Sequence, residues 1–408
     1  MTLLDSADSE ALRARIDGLG IPSINLIGGT AAETDAAPYD LGVLSPGIDP
    51  ITPLVKNFVS KQIAMLGELE LAFQMCKCPV VAITGTNGKT TTTELVALMF
   101  NESGVRTVAA GNIGTAFTGV VKASEQLEVV TLEVSSFQLE TIRTFHPKVV
   151  AWLNLTPDHL DRYNSVEEYR DAKLRIFENQ TGADFAVVNF RDALPPLKAT
   201  KITFSAYQSG GDFELRENII FFRGNPVLKM EETHLRGPHN AENLMAALGI
   251  GFAWGLGFEQ MRAPLCSYVP LPHRCELIRS VAGVDYVNDS KATNLDALEK
   301  ALDAETRPVV LIAGGKDKGF EFGSLTDLVA RKAHSVILIG EMADSIASSW
   351  GNRIGCDKAG SLAHAVELAR AKSRPGDVVL FSPGTSSFDM FTSYADRGNQ
   401  FRKLIETI

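Results

Sequence analysis

Residues 80–101 constrain the fold more tightly than any other stretch of this chain. An apolar run, Val80-Val81-Ala82-Ile83-Thr84, leads into Gly85-Thr86-Asn87-Gly88-Lys89-Thr90-Thr91, and a helical run from Thr92 to Asn101 follows. Strand, glycine-rich turn, Lys-Thr and helix in that order make a cradle for phosphate. The glycines let backbone amides turn inward, and the helix N-terminus adds unpaired donors. Lys89 would neutralise the β- and γ-phosphates of a nucleotide, and the Thr90 hydroxyl would ligate Mg²⁺. Ile83 stands where the general Walker spacing wants its first glycine, and the competing reading is a glycine-rich turn without a ligand.

The rest of the chain agrees with an α/β setting for that turn. Short apolar strands alternate with amphipathic helices, the pattern of parallel sheets. At 408 residues the chain exceeds one ordinary core, so two or three domains are expected. The 39 Lys and Arg against 49 Asp and Glu give a net charge of -10, which argues against a nucleic-acid wrapper but leaves anionic small molecules open. Five cysteines, with Cys76 and Cys78 too close together for a zinc knuckle, fit a reduced cytoplasmic protein. The longest uncharged stretch, Asn243 to Phe258, is too short for a membrane span and carries four glycines.

Three segments are expected. Residues 1–78 hold a buried strand over Tyr39–Ser45, ending in Pro46-Gly47, and a helical stretch from Ile51 to Met75. Residues 79–269 carry strands at Val80–Thr84, Val129–Glu133, Val149–Leu155 and Phe185–Asn189, an antiparallel-looking stretch from Ile202 to Leu235, and a helix over Asn240–Trp254. Residues 270–408 open at Pro270-Leu271-Pro272 and carry strands at Asp285–Asn288, Val309–Ala313, Ser335–Ile339 and Asp377–Phe381, as in a doubly wound sheet.

Two further strand ends supply what a nucleotide loop alone lacks. Glu133 closes the strand Val129–Glu133, where a buried acid is costly without a cation. His159, in Thr156-Pro157-Asp158-His159, lies just past Val149–Leu155. Carboxyl ends of parallel strands face one crevice, so Lys89, Glu133 and His159 are expected to converge. Taken singly, Glu133 reads equally as a satisfied structural acid, and His159 as a capping or core residue. Lys173 by itself reads as a surface lysine on a helix.

These motifs, together with Gly111-Asn112-Ile113-Gly114, Leu132–Glu140, Asp158–Tyr163, Ala172-Lys173-Leu174-Arg175, His239-Asn240 with Asn243, Pro272-His273-Arg274, Asn288–Asn294 and Ser382–Asp389, resemble the Mur ligase family, and most closely its D-glutamate-adding members. The resemblance runs in order from about Asp5 to the C-terminus. It implies a Rossmann-like nucleotide-sugar domain, a central P-loop ATPase-type domain whose parallel sheet has a small antiparallel part, and a C-terminal Rossmann-like domain. It also implies ATP-dependent phosphorylation of the carboxylate of UDP-N-acetylmuramoyl-L-alanine, followed by attack of the D-glutamate amine on the acyl phosphate.

Roles carried over by motif are these. Gly85 to Thr91 hold the phosphates, with Lys89, Thr90 and Glu133 around one Mg²⁺; His159 and Lys173 serve a second Mg²⁺, with Lys173 carbamylated. A carbamate suits that place, because an ammonium would repel the cation. Asn112 meets the muramoyl substrate, and Asn240, Asn243, Arg274 and Asp289 line the adenine and ribose region. Lys291, in the same loop as Asp289, joins Thr293, Lys318, Ser387, Phe388 and Tyr394 around the amino acid. A cationic Lys318 suits a dicarboxylic substrate, although a solvated loop lysine is the bland alternative. Domain closure about Val269–Arg274 is expected to exclude water from the acyl phosphate.

The first segment departs from the family. A strand, glycine-rich loop and helix, on the order of 25–30 residues, read as missing ahead of Leu3-Leu4-Asp5-Ser6. Asp5, Ser6 and Gly47 remain for the UDP moiety, Ala7 replaces a frequent arginine, and an exposed sheet edge is expected. Competing readings are an L-alanine-adding or diaminopimelate/lysine-adding ligase, folylpolyglutamate synthase, or a non-catalytic ATP-binding regulator. The Ser290–Asn294 and Ser382–Asp389 loops favour D-glutamate, and the retained Glu133, His159, Lys173 and Lys318 argue against a mere binder.

Overall fold

The strand Val80–Thr84 is buried at every residue, and its side chains divide between two cores. Val81 and Ile83 face one, Val80 and Ala82 the other, as the two-residue period of a strand requires. A strand apolar on both faces belongs inside a parallel sheet covered on both sides. In this computed structural model, which describes residues 1–6, 12–13, 16, 24–49, 51–160, 162–270 and 272–408, it lies within a nine-stranded sheet. Ala7, Asp161 and Leu271, named above, fall outside the described residues.

Val80–Thr84 pairs in parallel with Val129–Glu133 on one side and Val149–Trp152 on the other. The chain therefore leaves this strand toward one half of the sheet and later returns to the other. That is the switch point at which α/β sheets bind ligands. Thr107–Gly111 forms the edge beyond Val129–Glu133. On the other side follow Phe185–Asn189, Thr200–Ser205 and Phe213–Arg216, all parallel, then Ile219–Phe222 and Asn225–Lys229, both antiparallel.

Helices Lys89–Glu102, Pro238–Trp254 and Phe258–Ser267 cover one face. Helix Glu68–Met75 packs Leu69 and Ala72 on the other, and its buried Glu70 accepts from the backbone of Arg143, Thr144 and Phe145. Each fully buried aliphatic side chain in these layers contributes about 1.5–3 kcal/mol.

A second, six-stranded sheet carries the C-terminal third. Its order is Glu276–Val281, Val284–Asn288, Val378–Phe381, Val309–Gly314, Ala333–Ile339 and Cys356–Lys358; only the first strand runs antiparallel to its neighbour. Near the N-terminus, Thr2–Asp5 pairs in parallel with Asn25–Gly28, and Gly42–Leu44 pairs with Met65–Gly67. No described strand joins these two pairs.

Several local expectations are corrected. The strand expected over Tyr39–Ser45 is only Gly42–Leu44, and Val43 on it is exposed. The single helix expected from Ile51 to Met75 is two, Pro53–Ser60 and Glu68–Met75, separated by the strand Met65–Gly67. Pro53 sits at the first helical turn, where its missing N–H is harmless, so the helix starts two residues late. The strands Thr107–Gly111, Glu276–Val281 and Cys356–Lys358 were not legible as strands, and Thr200–Ser205 pairs in parallel where antiparallel pairing was expected.

Candidate functional site

Gly88 enters the helix Lys89–Glu102 with φ +83, a left-handed conformation that glycine adopts without penalty. A Cβ there would lie 2.2 Å from Asn243 Oδ1, so the helix Pro238–Trp254 closes directly over the turn. The Asn87 backbone is held at both ends: its N–H donates to Asn154 Oδ1 at 2.9 Å, and its carbonyl accepts from Asn154 Nδ2 at 3.1 Å. Lys89 folds back across the turn, its Nζ donating to the carbonyls of Gly85 (3.0 Å) and Thr86 (2.8 Å). Burial pulls its pKa below the ordinary lysine value, while Glu133 and Asp158 oppose that shift.

Glu133 is 2% exposed and fully engaged. Thr90 Oγ1 donates to its Oε2 at 2.8 Å, and Asn112 Nδ2 to its Oε1 at 2.8 Å. Asn112 reaches it because Gly111, at φ +104, lets the two strand ends approach; a Cβ there would lie 2.3 Å from the Glu133 carbonyl oxygen. The site thus begins as a hydroxyl and a carboxylate side by side at the mouth of the phosphate turn.

His159 adopts φ +55 and packs edge-on against Phe137, ring centroids 4.8 Å apart. Burial, together with Lys318, Lys89 and Lys173, lowers its pKa against the pull of Asp158. That shift favours the neutral imidazole, the form with a lone pair for a ligand. Lys173 departs from its reading as a surface lysine: it is 1% exposed. Its Nζ donates to the Gly85 carbonyl at 2.9 Å and lies 4.7 Å from the centre of the Tyr169 ring. Burial first, and Lys89 second, hold its pKa well below the ordinary lysine range.

The C-terminal sheet completes one cavity with the central one. Lys89, Thr90, Asn112, Glu133 and His159 line it together with Asn240, Asn243, Arg274, Asp289, Lys291, Thr293 and Lys318. Asp158 joins the two halves, accepting from Asn294 Nδ2 at 3.1 Å and from Lys318 Nζ at 3.5 Å. Burial pushes the Asp289 carboxyl up to about 6, despite donors from Ser382 and Cys275. Lys291 lies 3.8 Å from the centre of the Tyr394 ring; burial, then Arg274, pulls its ammonium down to about 8.

Not every candidate meets in this cavity. Lys173 sits beneath the turn rather than on the wall, and Ser387, Phe388 and Tyr394 stand outside the lining. Ser387 is buried, whereas Phe388 is exposed. Asp5, Ser6 and Gly47 belong to the N-terminal strand pairs and their loops, outside this cavity. Sequence reading passed over Asn154, whose amide fixes Asn87, and Asp158, whose carboxylate bridges the two sheets. Both follow the strand Val149–Trp152, and that position was their available signal.

Oxygen-rich Thr90 and Glu133 with neutral His159 fit a hard divalent cation. No described group of three or more His, Cys, Asp or Glu residues could hold a metal by itself.

The Mur ligase middle-domain family matches residues 83–251, and the Mur ligase glutamate ligase domain matches residues 273–384. The UDP-N-acetylmuramoylalanine–D-glutamate ligase of Geobacter metallireducens is 40% identical, the match covering 100% of this chain and 92% of that protein. The ligase of the same name from Geotalea daltonii is 42% identical, over 90% of this chain and 83% of its own. Among solved structures, the MurF ligase of Thermotoga maritima in complex with ADP shares the fold at TM-score 0.67 and 19% identity, covering 100% of this chain and 95% of its own. The two sheets, the phosphate turn between them and these relatives identify the chain as a member of the Mur ligase family.

Proposed function

We propose that the chain ligates D-glutamate to UDP-N-acetylmuramoyl-L-alanine, with ATP cleaved to ADP and phosphate, as a step in peptidoglycan precursor synthesis. The observation that carries this reading is the single cavity in which Lys89, Thr90, Glu133 and His159 of the central sheet face Lys291, Thr293 and Lys318 of the C-terminal one. The names of the curated relatives agree with it. The proposed division is 1–78 for the nucleotide sugar, 79–269 for ATP and 270–408 for the amino acid. A cytoplasmic setting belongs to the same reading and rests on five cysteines, none of them bridged.

Each residue has a task in this scheme. The turn from Gly85 to Thr91 binds the triphosphate through backbone amides, and Lys89 leaves its carbonyl partners to meet the phosphates. Asn240 and Asn243, themselves joined at 3.1 Å, line the nucleoside side with Arg274 and Asp289. Asn112 steadies Glu133 and reaches toward the muramoyl carboxylate. When bound, Mg²⁺ supplies charge neutralisation for the transferring phosphoryl group. Thr90 and Glu133 would hold one ion, and His159 with Lys173 would serve the second.

The carboxylate oxygen attacks the γ-phosphorus and ADP leaves. The D-glutamate amine then attacks the acyl carbon, its proton departs, and the C–O bond breaks to release phosphate. Lys318 and Thr293 would hold D-glutamate, the ammonium meeting its side-chain carboxylate. Ser387, Phe388 and Tyr394 complete that side in the proposal, while Asp5, Ser6 and Gly47 serve the UDP end.

Burial favours the neutral amine of Lys173, the form that adds to carbon dioxide. An N–C bond forms, one proton leaves, and the product is an anionic carbamate able to serve a second Mg²⁺. We include this carbamylation and the second ion in the proposal.

Phosphate release with ATP, UDP-N-acetylmuramoyl-L-alanine and a panel of amino acids tests the assignment. Turnover with D-glutamate alone supports it. Turnover with L-alanine, diaminopimelate or lysine, or ATP binding without any turnover, would refute it.

A further inference from the structure

Helix Leu295–Ala304 meets the central sheet at its N-terminal end. Its cap, Asn294, accepts from the Ala297 N–H at 2.9 Å and donates across the boundary to Asp158 at 3.1 Å. In the first turn of the helix, the Asp296 carboxylate accepts directly from the side-chain amide of Asn87 in the phosphate turn. Lys300, on the following turn, pairs with the same Asp296 oxygen at 2.9 Å. Both side chains are largely buried, at 13% and 16% exposure, so the pair is shielded from solvent and costly to break on one side only.

Nothing in the phosphate chemistry asks for an acid at that place. An unpaired carboxylate beside a triphosphate would repel it, and Lys300 cancels that charge. What Asp296 gains is a hold on Asn87. The central sheet already fixes the Asn87 backbone through Asn154, and the side-chain amide is left for the other sheet. The two constraints come from opposite sides of the cavity and meet on one residue of the nucleotide turn.

We propose that Asp296, neutralised by Lys300, is a positioning residue that transmits seating of the C-terminal domain to the phosphate turn through Asn87. The turn holds its nucleotide-binding shape fully only while helix Leu295–Ala304 is docked. The inference rests on the ATP-dependent reading above. It adds a route by which docking of the amino-acid-binding part tightens nucleotide binding.

Calorimetric titration of the full chain with a magnesium-bound, non-hydrolysable ATP analogue tests this without depending on which amino acid is added. Asp296→Ala and Asn87→Ala are each expected to weaken binding about 10-fold, and the double variant no more than either single one, since both remove the same link. In Asp296→Ala, saturating kcat should stay within about 3-fold of the parent chain, whereas general loosening of the structure would lower kcat as well. Asp296→Asn keeps an acceptor for Asn87 and should recover most of the affinity. If Asp296→Ala does not fold, Asp296→Leu, which also removes the acceptor, takes its place: combined with Asn87→Ala it should bind no more weakly than Asn87→Ala alone. Unchanged affinity in the single variants, or losses that multiply in the double one, overturns the inference while leaving the ligase reading intact. No nucleotide binding by the parent chain overturns both.

Discussion

Lys173 Nζ donates to the carbonyl of Gly85 at 2.9 Å, across 88 residues of sequence. The bond places an amine under the phosphate turn, sealed from water by Tyr169 and the turn itself. An ammonium held there as a permanent cation would work against a second divalent ion. The same amine in its neutral form is a nucleophile for carbon dioxide. Lys173→Ala is therefore expected to lower kcat by about 100-fold or more, the scale of losing a preorganised electrostatic group. Depletion of carbon dioxide from the wild-type protein should lower activity reversibly, and added bicarbonate should restore it. Intact mass measurement on rapidly trapped protein would look for the carbamate itself.

Glu133→Gln keeps the size and the hydrogen-bonding capacity of the side chain while removing its charge. Thr90 and Asn112 retain partners, so folding should be little affected. The Mg²⁺ concentration for half-maximal activity should rise about 10–100-fold. A magnesium titration at saturating ATP reads this directly.

Gly88→Ala combines two faults at one position. The backbone is left-handed, and the new Cβ would collide with Asn243 Oδ1. Strain of this kind costs about 1–3 kcal/mol. The turn is expected to relax by shifting, so ATP analogue binding should fall by more than about 10-fold, with a lower melting temperature. Calorimetry and thermal unfolding on the same sample separate the two effects.

How far the sequence carried the account depended on where each signal resides. Val80–Thr84 and Val309–Gly314 were legible because an apolar run followed by glycine is a local pattern. Thr107–Gly111 was not, since Thr-Val-Ala-Ala-Gly has little apolar bulk and is a strand only because Val129–Glu133 pairs with it. Met65–Gly67 hid inside what read as one long helix for the same reason: its partner, Gly42–Leu44, is distant in sequence.

Side-chain fates were harder to read than elements. Lys173 lies among Glu167, Glu168, Arg170 and Asp171 on its helix, and nothing in that spacing marks one cation as buried. Its burial comes from packing against the phosphate turn. Asp296 was invisible likewise, because an acid in the first turn of a helix is ordinary and Asn87 is far away in the chain.

Lys291 gives a pH dependence of defined sign. Its ammonium ionises at about 8 in the free protein, below the usual lysine value, because burial disfavours the charge. Lys291 lines the same cavity as Lys89 and Thr90, so a phosphate bound there favours the cation and raises that value. The Lys291 contribution to ATP affinity should therefore be fully present well below pH 8 and be lost as pH rises above it, with proton uptake on binding near that pH. Titration in buffers of different ionisation enthalpy measures that uptake, and Lys291→Met should reduce it near pH 8.

Lys318 bridges to Asp158 and lines the cavity, and in the proposed scheme it meets the amino acid. Lys318→Met should raise KM for D-glutamate by at least about 10-fold, the scale of losing a charge-assisted bond, with a smaller effect on KM for ATP. Initial rates at varied D-glutamate check this.

An acyl phosphate formed from the muramoyl carboxylate is the central intermediate of the proposed reaction. UDP-N-acetylmuramoyl-L-alanine labelled with oxygen-18 in that carboxylate, turned over with ATP and D-glutamate, tests it most directly. The prediction is one labelled oxygen in each molecule of released phosphate. Phosphate free of label, with amide product still accumulating, would contradict it.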